Sequence, residues 1–132
     1  MERRVSAAPA NTITEVVPGV WLAHFPDADL VNAAFCEPLV PPLVEGSRMG
    51  PVVLLADLPD EVRLVHPNMV PYWLNVFFKR GVAVRAIGVV TRHRGVKMIL
   101  NGLQLAMKMK GHELPVATRT SREELLAWAA TV

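Results

Sequence analysis

Run length and alternation of apolar positions divide the chain into strands and helices. Residues 51–56, Pro-Val-Val-Leu-Leu-Ala, form an apolar run too short for a typical helix and followed at once by Asp57 and Pro59. Such a run predicts a strand buried on both faces. After Pro67, an apolar run over 69–78 ends in Lys79, Arg80 and Gly81. Proline before the start, cations at the end and glycine just past it predict a helix. Upstream, 13–17 and 20–25 flank Pro18-Gly19, a turn signal that predicts a hairpin. Asp27 or Asp29 would cap a helix near 29–37, and Pro38, Pro41 and Pro42 point to an irregular or broken helical turn before Gly46, with both helix and loop open for residues 38–42. Residues 82–91 predict another strand, in which Gly88 marks a bulge or close backbone approach. A helix is expected from Val96 to Lys110, stopped by Gly111, and a short last strand over 114–118. Thr120 or Ser121 then caps a final helix with Glu123 and Glu124 in its first turn.

The resulting order, β-β-α-β-α-β-α-β-α, implies parallel pairing with an antiparallel edge hairpin. The expected fold is α/β, a mixed sheet of about five strands with helices packed mainly on one face. The 132 residues suffice for one domain, expected over 12–132 after a mobile segment at 1–11. Apolar residues make up 52% of the chain and charged ones 20%, which excludes a disordered polymer. No apolar stretch reaches a membrane span, and the residues after Arg3 and Arg4 do not read as a signal peptide. Cys36 is the only cysteine, so an internal disulfide is excluded and a reducing cytoplasm is the expected setting. A net charge of +2, spread along the chain, does not predict nucleic-acid binding.

Two segments carry a resemblance. Val52-Val53-Leu54-Leu55-Ala56-Asp57-Leu58 precedes the central loop, and the chain closes on Thr120-Ser121-Arg122-Glu123-Glu124-Leu125-Leu126-Ala127-Trp128. With the element order, these segments resemble the STAS or SpoIIAA-like family, the fold of bacterial anti-sigma-factor antagonists, over roughly 12–132. The resemblance implies a non-enzymatic domain that binds other proteins. Phosphoregulated members of that family carry Ser or Thr at the start of the helix after the central strand. Val65-His66-Pro67-Asn68 holds neither here, so the phospho-switch does not carry over.

Candidate contacts follow from position. His66 and Asn68, in the loop 57–68 at the C-terminal end of the central strand, lie where α/β sheets usually receive ligands. Arg92, Arg94 and Lys97 open the next helix and suit an anion or acidic partner, or else are solvated loop charges. In the central helix Trp73 and Phe77 suit an interface anchor as well as a core. In the helix 96–110, Lys97, Asn101, Gln104 and Lys108 form a polar stripe, and Val96, Ile99, Leu100, Leu103, Ala106 and Met107 form the core face. Met98, Leu105 and Met109 add a second apolar stripe that one sheet cannot easily cover. The expected partner is therefore another protein or a second copy of the chain. Two rival readings remain: a carrier of a small apolar ligand or lipid, and an enzyme using His66 with Asp57 or Asp60 for acid–base chemistry. No metal or cofactor is expected, because nucleotide-binding, zinc and nucleophile motifs are absent and His24, His93 and His112 are scattered.

Overall fold

The structure, a computed structural model, describes residues 12–25, 30–58, 62 and 64–132. The expected mobile segment 1–11, the caps Asp27 and Asp29, and Asp60 lie outside those residues. Strands β1 (Thr12–Val17) and β2 (Val20–His24) form an antiparallel hairpin. Gly19 turns it at φ +80°, a conformation that a side chain resists. Beyond the hairpin the sheet is parallel. β2 pairs with β4 (Val52–Asp57), β4 with β6 (Val84–Val90), and β6 with β7 (Val116–Arg119). The order is β1-β2-β4-β6-β7, so the sheet is five-stranded and mixed, with β4 at its centre.

β4 is buried on both faces because its residues alternate between two apolar clusters. Val52 and Leu54 enter the larger cluster, and Val53 and Leu55 the smaller. All four are at most 5% exposed. Burying such side chains contributes about 1.5–3 kcal/mol each, so both faces of the sheet need cover. Helices α3 (Met69–Phe78) and α4 (Arg94–Met109) cover the larger cluster, together with the helical segment before β4. Among the described residues, helix α5 (Arg122–Ala129) is the helix that covers the other face, inserting Leu125 and Ala129. Ser121 caps α5 through its Oγ, which accepts from the Glu124 backbone N–H at 3.2 Å.

Three local expectations are corrected. The helix expected near 29–37 is instead a two-residue strand β3 (Leu30–Val31), a short helix α1 (Ala33–Cys36) capped by Asn32, a 3-10 turn (Glu37–Leu39), and helix α2 (Val40–Ser47). The helical path is broken at the 3-10 turn, as expected, and resumes after it. Pro38 stands at the start of the 3-10 turn, and Pro41 and Pro42 lie in the first turn of α2. Backbone N–H groups there have no helical acceptor to lose. Second, β3 pairs in parallel with β5 (Leu64–Val65), a two-stranded sheet within the loop after β4. Third, α4 begins at Arg94, two residues early, because the His93 ring supplies the cap: its Nδ1 accepts from the Gly95 N–H at 3.0 Å.

The close approach expected at Gly88 is present. A Cβ added there would lie 2.6 Å from Leu125 Cδ1 and 2.8 Å from Trp128 Cζ3. α5 thus seats its apolar side directly on the β6 backbone. Gly88→Ala is expected to destabilise the protein by about 1–3 kcal/mol, the range for overpacking, measured by urea unfolding. An unchanged midpoint would mean that α5 is not seated on Gly88.

Candidate functional site

The C-terminal ends of the parallel strands carry two separate polar groups. On the α5 face, Arg122 donates from Nε and Nη2 to Asp57 Oδ2 at 3.1 and 2.8 Å. Its Nη2 also lies 3.5 Å from His24 Nδ1. Parallel pairing sets His24 beside Asp57, and α5 delivers Arg122 to both. Asp57 follows Val53 and Leu55 on the α5 side of β4 by strand alternation. His66 follows β5 on the other face, where Val65 packs against the larger cluster. There His66 Nδ1 accepts from the Asn68 N–H at 3.1 Å, which organises the entry to α3. Asp57 is therefore engaged by Arg122 and the His66 ring by the Asn68 N–H. His66 and Asn68 are both exposed.

The first turn of α4 is built similarly. The His93 N–H donates to Thr91 Oγ1 at 3.0 Å while its ring caps Gly95. Arg92, Arg94 and Lys97 are exposed around this turn. Gly95 lies near β5, since a Cβ there would be 3.8 Å from Val65 Cγ2.

The central helix is committed inward. Phe77 is 8% exposed and Val76 and Met69 are 0% and 2% exposed. Phe77, expected as a partner contact, is corrected to a core residue: its ring packs against Trp73 at 5.7 Å between centroids. Trp73 is half-buried and lines a cavity, so it too serves the interior more than a surface. Only Phe78, at 42%, leaves the apolar side of α3 substantially open. It meets His112 edge-on at 5.2 Å, with Lys110 Nζ 5.3 Å above its ring.

The cavity measures about 90 Å³ and lies between the sheet and α1, α3 and α4. Its wall is apolar and includes the Cys36 thiol. Burial, helped by Glu37, pushes the Cys36 pKa up to about 12, so the thiol stays protonated. Beside it, Glu37 fastens the 3-10 turn to both ends of α3. It accepts from the Tyr72 hydroxyl at 2.7 Å and from both terminal nitrogens of Arg80. The Arg80 and Tyr72 hydrogen bonds hold the Glu37 carboxyl below its ordinary pKa, and burial, followed by the Glu37 bond, raises that of Tyr72.

The outer side of α4 is different. Met98, Leu105 and Met109 are 73%, 60% and 81% exposed. Spacings of seven and four residues place them in one row, about 16 Å long at 1.5 Å per residue. Beside Leu105 runs a surface groove of about 420 Å³, walled by Asn101, Gln104 and Lys108 and by Glu113, Leu114 and Pro115. Gln104 Nε2 holds the groove together by donating to the Leu114 carbonyl at 2.9 Å. The structure thus brings Met98, Leu105 and Met109 together on one surface. It does not join them to His66 and Asn68.

Comparison with protein-family models, with curated proteins and with solved structures finds no match. Among the described residues no three His, Cys, Asp or Glu side chains are grouped to hold a metal, and no helix is long and apolar enough to cross a membrane. Sequence reasoning missed the Glu37 and Arg122 ties, the groove and the location of the cavity. The ties span 43 and 65 residues and carry no local signal; the cavity is a remainder of packing.

Because the folded Glu37 pKa is depressed, its stabilisation is complete above the unfolded carboxylate value and disappears as pH falls through the folded one. Glu37→Gln is therefore expected to lower the urea midpoint at pH 7, with the gap to wild type closing as pH drops below about 4. A gap that persists unchanged in acid would show that the charge of Glu37 is not what stabilises the turn.

Proposed function

We propose that this protein is a non-catalytic, STAS-like protein-binding domain that docks another protein on the outer side of α4. The observation that carries the reading is the row Met98, Leu105 and Met109, apolar and solvent-facing on a helix whose opposite side fills the core. An apolar row of this kind supports a binding surface, and methionine adapts to varied contacts. The Leu105 groove offers a socket for one large side chain of the partner.

Charge selects the partner. Between 94 and 110 the chain carries Arg94, Lys97, Lys108 and Lys110 and no carboxylate. Two copies meeting through α4 would bring like charges together, which is costly. A different protein with an apolar centre and an acidic rim fits better than the homodimer considered above. The resemblance of element order and closing segment to STAS domains supports a place in bacterial regulation.

The test is affinity capture from an extract of the native cell with wild type and Leu105→Glu, followed by titration of each captured protein in purified form. Leu105→Glu is expected to weaken the specific partner at least tenfold, as removal of a central contact does. Added salt should weaken it further by screening the rim. Equal affinity for both forms would refute docking on α4. Binding of wild type to anionic lipid vesicles, lost in Leu105→Glu with no protein captured, would replace a protein partner with a membrane surface.

A further inference from the structure

We propose that the apolar cavity under α1, α3 and α4 is a binding site for a small ligand bearing a compact, branched aliphatic group of about four carbons. This site is separate from the α4 row and does not depend on it.

Size sets the ligand class. The void of about 90 Å³ is smaller than the roughly 150 Å³ apolar cavity known to hold benzene. It suits an isobutyl-sized group and is too small for a long acyl chain. Its wall is made by Leu54, Ile87, Val89, Val96, Leu100 and Leu103, all at most 6% exposed. With so little polar surface, ordered water has no partners there, and an apolar occupant meets no desolvation penalty at the wall.

Position sets how the ligand enters. The cavity lies toward the C-terminal ends of the parallel strands, the side where α/β sheets receive ligands. Phe35, Val65, Trp73 and Ile99 line it and are only half-buried. The cavity therefore reaches the surface among α1, β5 and the second turns of α3 and α4. A polar head would remain outside at this mouth, beside the start of α4, while the branched tail fills the void.

The experiment is a methyl-resolved NMR titration of the full chain with 3-methylbutan-1-ol and, separately, 3-methylbutanoate. These share the tail and differ in the head. Concentrations to about 20 mM cover the millimolar affinity that so few atoms support. Saturable shifts centred on the methyls of Leu54, Val89, Leu100 and Leu103 are expected with at least one probe. Tighter binding of the carboxylate would place an anionic head at the start of α4, and equal binding would assign recognition to the tail alone. Ala56→Leu projects a larger side chain into the void and is expected to abolish the shifts. Ile99→Ala, which widens the mouth, should admit benzene and covers the case in which Ala56→Leu fails to fold. Absence of saturable shifts with both probes, or identical shifts in Ala56→Leu, would overturn the proposal.

Discussion

The structure depends on the two-sided burial of β4. A central parallel strand has hydrogen-bonded neighbours on both edges and side chains directed into both faces, so neither edge nor face can be left to water. Val53 and Leu55 draw α5 onto one face, and Val52 and Leu54 require a much larger cover on the other. The asymmetry of the fold follows. One short helix suffices where Gly88 lets it sit on the backbone, whereas the opposite face recruits α3, α4 and the proline-rich segment before β4.

That demand decides which side chains remain for function. α3 lies deep enough that Trp73 and Phe77 are absorbed into packing while Phe78 stays open, and Glu37 ties the helix down through Tyr72 and Arg80. α4 presents Val96, Leu100, Leu103 and Met107 to the core. Met98, Leu105 and Met109 on its outer side have no sheet beneath them. The cavity arises under the same cover, where a short α1 and a two-stranded sheet roof the strand ends in place of a long helix.

Much of this was legible in the sequence. The strand at 51–56, the helix over 69–78 and the capped final helix each announced themselves through run length, period or end residues, and the element order implied a mixed sheet. Gly88 points in sequence to a bulge or a close approach, and the structure selects the close approach. The segment before β4 stays open in sequence, because a proline in a first helical turn looks like a proline that stops a helix. β3 and β5 have two residues each, too few to show a period. His93 was missed as a cap because histidine is not among the usual capping residues. The surface stripe of α4 was visible as an excess of apolar positions, but the same logic put Phe77 at an interface. Helical period identifies which residues share a side, and only the packing of neighbours decides whether that side is covered.

The central claim is that α4 has one covered side and one open apolar side. Methionine oxidation reads this directly, because the chain carries reporters on both sides. Under dilute hydrogen peroxide, followed by mass spectrometry of the native protein, Met98 and Met109, at 73% and 81% exposure, are expected to oxidise early. Met107 and Met69, at 4% and 2%, should remain reduced until the protein unfolds. Protection of Met98 and Met109 equal to that of Met107 in the purified monomer would contradict the account, since the row on α4 would then already be covered by the chain itself.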